Sequence, residues 1–233
     1  VALALDPLHL DNHLLVVNKP AGLLVQGDVT GDVDLLTIGK AFLKERFDKP
    51  GAVFLGLVHR LDRPVSGVVA LARTSKAAAR LSEQFRERTP TKRYLALVEG
   101  RLTGEGTRED HLAKLDRTVR VVKPTHPEAK RAVLRWRGLA TDRTRRGGDL
   151  SLVEVDLVTG RAHQIRVQLA AMGHPILGDL RYGATREFDG KNLALHAHQL
   201  TLEHPTRREA MTFTAPPPPP WRGSFDAVLA GLK

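Results

Sequence analysis

Cysteine is absent from the 233 residues. Disulfides, thiolate nucleophiles and cysteine-ligated zinc or iron–sulfur centres are therefore excluded, and any covalent chemistry must use oxygen or nitrogen. Long apolar runs are missing as well. The longest, such as AVFLGLV at 52–58, falls far short of the roughly 20 residues that cross a bilayer. The opening VALALDPLHLD has small apolar residues but no basic leader and meets Asp6 early, which does not fit a secretory signal. The simplest expectation is a cytoplasmic protein. No glycine-rich phosphate loop, dinucleotide fingerprint or HExxH zinc helix occurs.

What is present is an ordinary apolar fraction of 42%, enough for a real core, and a surplus of positive charge. Lysine and arginine number 36 against 26 acids, a formal charge of +10. The surplus is uneven: 13 basic residues face 7 acidic ones between Arg101 and Asp149. A solvated basic face would give such a count, but phosphate neutralisation is its commonest use, so a nucleic acid is the expected partner.

The periodicity alternates between two patterns. LLVVNKP at 14–20, GAVFLGLVHRLD at 51–62 and SGVVALART at 66–74 read as strands, the last two flanking Asp62 at a strand-to-strand corner. DLLTIGKAFLKERF places Leu35, Ile38, Ala41 and Phe42 at helical spacing, and TSKAAARLSEQFRERT places Ala78, Leu81 and Phe85 on one stripe behind the candidate caps Thr74 and Ser75. KRYLALVEG, TVRVV, RAVLRWRGLA and LSLVEVDLVTG are β-rich. GRAHQIRVQLAAMG predicts a helix through Ala162, Ile165, Leu169 and Met172 that ends at Gly173. LALHAHQLTLEHP and EAMTFT close the series as strands. The expected class is α+β, with a mixed, mostly antiparallel β-sheet core and a few flanking helices. Pro216–Pro220 reads as a stiff extended spacer before a short helix at 224–232.

Few residues are placed to do chemistry. His196 and His198, two apart on a strand with His204 nearby, are the strongest metal candidates, but no acidic ligand accompanies them at a familiar spacing, and packing is the better reading. Ser66 in PVSG lacks the nucleophile elbow of serine hydrolases. Asp62, within HRLDRPVSG, ends an apolar run between Arg60 and Arg63 and before Pro64. A carboxylate held there suits a nucleophile or base, although such an aspartate can equally close a turn on its own backbone. Tyr94 opens a strand beside Lys92 and Arg93, and TGRAHQIR leads from a strand into a helix whose N-terminus welcomes anions. An aspartate, a tyrosine and an arginine on three elements of a basic chain make one candidate site.

HRLDRPVSG, KRYLALVEG and TGRAHQIRVQLAAMGHPILGDLRYG, with VVNKPAGLLVQ before them and LALHAHQLTLEHP after, resemble the RluA-type pseudouridine synthase family in the expected order. The resemblance spans most of 14–205. It implies an RNA-modifying isomerase that needs neither cofactor nor metal and converts uridines of tRNA and/or ribosomal RNA to pseudouridine. In that reading Asp62 is the catalytic aspartate, Tyr94 stacks on the target uracil and Arg166 partners the Asp62 carboxylate. His59, Arg60, Arg63, Lys92, Arg93, Arg161, His163 and Gln164 are the candidate substrate and RNA contacts. Val65, Ala162 and Gln168 depart from residues usual in the family (Thr, Thr and His). The chain opens almost at once on the catalytic segment, so the expectation is a single catalytic domain over 1–233, monomeric, without a separate N-terminal S4-like RNA-binding domain. Two other classes stay open: a nucleoside or glycoside hydrolase that pairs Asp62 with a second acid such as Asp179, and a noncatalytic RNA-binding protein on the same fold.

Overall fold

A computed structural model describes residues 5–116, 118–143, 148–190, 192–221, 223 and 225–232. In chain order the elements are β1 (Pro7–Leu10), β2 (Leu14–Lys19), α1 (Leu35–Arg46), β3 (Gly56–Leu57), β4 (Ser66–Ala72), α2 (Ser75–Glu87), β5 (Thr91–Glu99), β6 (Glu105–Leu115), β7 (Thr118–Val122), β8 (Lys130–Arg143), β9 (Asp149–Leu157), α3 (Gln164–Ala171), β10 (Leu195–Glu203), β11 (Ala210–Thr214) and α4 (Asp226–Gly231). They fall into two compact units, one of residues 1–90 and 197–216, the other of residues 91–196 and 217–233. The class is α+β as expected, and the pairings within β1–β2, β2–β4, β3–β4, β10–β11, β5–β9, β8–β9, β6–β8 and β6–β7 are antiparallel.

In the first unit β4 is buried along its whole length, because Val68, Ala70 and Ala72 meet Leu14 and Val16 of β2, Ala77 and Leu81 of α2, and Leu200, Leu202 and Phe213. Each large aliphatic side chain so buried contributes roughly 1.5–3 kcal/mol. Thr74 caps α2 by accepting from the Ala77 N–H at 3.1 Å, and Asp34 caps α1 by accepting from the Thr37 N–H at 3.1 Å. Arg88, in the left-handed region at φ 63°, ends α2.

The second unit is built on the strand order β5-β9-β8-β6-β7. Val167 of α3 packs on Leu112, Val119 and Ala132. Gln168 is wholly buried and donates through Nε2 to the Asp110 carboxylate at 2.9 Å and the Ala132 carbonyl at 3.2 Å.

Four expectations need correction. The strand read over 51–62 is regular only at Gly56–Leu57, and the chain from there to Ser66 is an irregular corner. The α3 helix starts at Gln164, so Ala162 lies outside it and is exposed. β1 and the charge-rich β6 are additional strands. The end of the proline run is not extended: Pro219–Trp221 form a turn of 3₁₀ helix. Ser224, the start expected for the last helix, lies outside the described residues, as do Arg117, Arg145 and Arg146 of the basic stretch.

Candidate active site

The corner that carries Asp62 is clasped from several sides, all within the first unit. The Asp62 carbonyl accepts from the Val65 N–H at 3.0 Å, and Gly22 and Arg63 bond reciprocally, N–H to carbonyl at 2.8 Å and Arg63 Nε to the Gly22 carbonyl at 3.0 Å. Arg63 also reaches Asp32 at 2.7 Å. Beneath this turn lies Lys19, fully buried, whose Nζ donates to the carbonyls of Leu23 (2.8 Å), Pro20 (2.9 Å) and Arg63 (3.3 Å). Burial pulls the Lys19 pKa down to about 7, opposed by the negative charge of Asp62 and reinforced slightly by Arg63. The sequence reading passed over Lys19. The signal was there, since a lysine that ends an apolar strand just before a proline has little water to reach.

His59 is bound into the same scaffold. Its Nε2 accepts from the Ala70 N–H at 2.9 Å and its ring stacks on Phe85 with centroids 4.6 Å apart. Arg60 is exposed and Asp62 half-buried. Gly67 closes the motif at φ +120°, and a Cβ there would lie 2.3 Å from the carbonyl oxygen of Ala197, so only glycine lets the two backbones approach.

The second unit holds the other candidates. Tyr94, half-buried, stands opposite Val155 of β9. Lys92, two residues earlier and so on the same face, runs its Nζ along Gly160, where a Cβ would come within 3.3 Å of it. Arg93 projects to the opposite face and pairs with Asp156 at 3.1 Å and Glu154 at 3.5 Å. Gln164 is buried: its Oε1 accepts from Thr159 Oγ1 and the Arg161 N–H, and its Nε2 donates to the Val133 carbonyl. Those bonds tie the turn before α3 onto β8. Arg161 Nε donates to the Arg131 carbonyl at 3.1 Å.

Arg166, the third residue of α3, is buried and forms a two-pronged ion pair with Asp179, Nε to Oδ2 at 2.7 Å and Nη2 to Oδ1 at 2.8 Å. Its guanidinium lies 5.0 Å from the ring centroid of Tyr182. Tyr182 Oη accepts from the Val119 N–H at 3.2 Å and meets His163 Nδ1 at 2.6 Å. Burial raises the Tyr182 pKa, so the hydroxyl keeps its proton. His163, at φ 52°, begins α3 without a side-chain cap.

The histidines considered for a metal have other duties. His204 is buried and bonds Asp11 through Nε2 at 2.9 Å, His198 Nδ1 meets the Ala215 carbonyl at 2.9 Å, and His196 packs edge-on against Trp221. No group of three or more metal-ligating side chains occurs among the described residues.

Comparison with known proteins bears on what this geometry serves. Residues 13–171 match the model of a family described as RNA pseudouridylate synthase. The chain is 37% identical over 220 residues to the dual-specificity RNA pseudouridine synthase RluA of Haemophilus influenzae, covering 91% of this chain and 92% of that protein. It is 36% identical over 215 residues to the uncharacterized RNA pseudouridine synthase YhcT of Bacillus subtilis, covering 92% of this chain and 69% of that one. Among solved structures it is similar to human RNA pseudouridylate synthase domain containing 1, with a TM-score of 0.77 and 29% identity over 97% of this chain and 88% of that one.

Proposed function

Because the chain belongs to the RNA pseudouridylate synthase family, we propose that Asp62, Tyr94 and Arg166 are the working groups of this RNA-modifying isomerase. The target uridine leaves its stack and enters the site, at a cost of a few kcal/mol. Stacking on Tyr94, worth about 1–3 kcal/mol, offsets much of that. The Asp62 carboxylate, partnered by Arg166, attacks ribose C1′ or takes the 2′ proton as the N1–C1′ bond breaks. The detached uracil turns, C5 bonds to C1′ as the bond from Asp62 to C1′ breaks or as the 2′ proton returns to C2′, and the C5 proton is lost while N1 takes one up.

The observation that carries this reading is the clasped corner. Lys19, Arg63 and Gly22 fix the backbone immediately after Asp62, which is the preorganisation that a nucleophile or base requires. The hydrolase alternative loses its second acid, since the Asp179 side chain is 1% exposed and spent on Arg166.

RNA is held, in the same reading, by exposed Arg60, by Lys92, and by cations of the stretch from Arg101 to Asp149. Part of that stretch is neutralised internally, Arg108 by Asp110, Arg131 by Glu109 and Arg137 by Glu154. Arg101, Arg120, Lys123 and Lys130 enter no ion pair among the described residues and keep their charge for phosphate. The substrates are uridines of tRNA and/or ribosomal RNA, and the enzyme acts as a cytoplasmic monomer.

The test is tritium release from RNA labelled at uridine C5, comparing the wild type with Asp62→Asn at equal folded concentration. Release by the wild type alone, without free uracil, is expected. Free uracil as product would favour a hydrolase, and equal release by both proteins would remove Asp62 from the mechanism.

A further inference from the structure

Arg166 is itself held by groups that the reading above leaves without a task. Its Nε and one Nη2 hydrogen are committed to Asp179, and both side chains are nearly dry, 7% and 1% exposed. Asp179 cannot drift, because its own N–H donates to the Ile176 carbonyl at 2.9 Å and its carbonyl accepts from the N–H groups of Tyr182 (3.0 Å) and Ala184 (3.1 Å). The loop reaches this position through Gly178, at φ +86°, where a Cβ would stand 2.6 Å from the Asn192 carbonyl oxygen. Tyr182, hydrogen-bonded at Oη on two sides, lays its ring against the guanidinium. Two in-plane bonds and one stacked face leave a planar guanidinium no freedom to rotate.

We propose that Asp179 and Tyr182 are positioning residues for Arg166: they fix the plane and the direction of its guanidinium. This inference rests on the role given to Arg166 above. It assigns the acid once considered for a hydrolase a different task. Asp179 also takes a share of the Arg166 charge.

A residue that acts through Arg166 has no effect once Arg166 is gone. The experiment is therefore a double-mutant cycle on kcat for tritium release, with RNA affinity measured in parallel, using Asp179→Asn, Arg166→Met and the pair together. Asp179→Asn is expected to lower kcat by at least about tenfold while RNA affinity stays within about twofold, and the double variant to be no slower than Arg166→Met. Normal kcat in Asp179→Asn, or losses that multiply in the double variant, would overturn the inference while leaving Arg166 in place. Wild-type activity in Arg166→Met would instead overturn the reading beneath it. Should Asp179→Asn fail to fold, Tyr182→Leu decides, since it removes the stacked ring and leaves both charges. A fall in kcat at unchanged RNA affinity supports positioning, and an unchanged kcat rejects it.

Discussion

The Lys19 ammonium donates to the backbone carbonyl of Arg63, 44 residues away, while its other two bonds go to the carbonyls of Pro20 and Leu23. One side chain thus stitches the end of β2 to the turn that presents Asp62. Lys19→Met keeps the length but removes three hydrogen bonds and leaves the partly buried Leu23 carbonyl without this donor, at about 1–3 kcal/mol. A lowered melting temperature and a loss of kcat are expected. The pH dependence has a definite sign. Burial brings Lys19 to about 7 in the folded chain, against about 10.4 when unfolded. Between those values the unfolded chain carries the extra proton, so stability rises with pH across that window. Urea denaturation at about pH 6.5 and about pH 9.5 should show this gain in the wild type and not in Lys19→Met. An equal gain in both would assign it to other groups.

Gly67→Ala tests the other side of the corner. The new methyl would meet the backbone nitrogen, carbonyl carbon and oxygen of Ala197 at 2.5, 2.7 and 2.3 Å, at a φ of +120°. Backbone atoms cannot step aside as a flexible side chain does, so a destabilisation of roughly 3 kcal/mol or more is expected. Thermal unfolding measures it, and a loss under about 0.5 kcal/mol, the range of an ordinary surface change, would mean that the two strands separate easily.

Most elements could be read in the sequence because their periodicity is local. Ala77 and Leu81 fall on one face of α2 whatever the rest of the chain does, and the apolar run of β4 is buried on both sides, which leaves no polar alternation to confuse it. β6 escaped for the opposite reason. Its residues Glu105 to Leu115 are charged at many positions that face solvent, and what makes them a strand is pairing with β8 from Glu105–Arg137 to Leu112–Lys130, a relation no local window contains. The apolar run before Asp62 misled because hydrophobicity there serves packing of an irregular segment and not a ladder.

The candidate site divides in the same way. Residue types in HRLD, KRY and HQIR named Asp62, Tyr94 and Arg166. Their supports did not stand out: Lys19 acts on carbonyls, which every residue has, and Asp179 reaches Arg166 across 13 residues and a loop. Nor could the sequence show that the Gln164 amide bonds Thr159 and the Val133 carbonyl.

Asp11 governs a second pH response, at the acid end. Burial alone would raise its pKa, but bonds from His9, from the N–H groups of His13 and Leu14, and from His204 outweigh that and hold the carboxyl below the usual range. A carboxyl depressed in the folded state stabilises above its unfolded value, about 3.9, and the contribution fades as pH falls below it. Asp11→Asn should therefore melt below the wild type near neutral pH, with the gap closing under about pH 4. A gap independent of pH would mean that shape, not charge, is what the histidines recognise.

Tyr94 separates stacking from hydroxyl chemistry. Tyr94→Phe retains the ring and should bind a short uridine-containing substrate RNA within about threefold of the wild type, whereas Tyr94→Ala forfeits about 1–3 kcal/mol, roughly 5- to 150-fold in affinity. Fluorescence anisotropy of labelled RNA under conditions that block turnover, for example in an Asp62→Asn background, reads this without reference to rate. A protonated phenol is a poor base, so the phenylalanine variant should also keep measurable tritium release. If it binds RNA normally but releases none, the hydroxyl is required after binding, and Tyr94 moves from a platform for the base to a participant in removing the C5 proton.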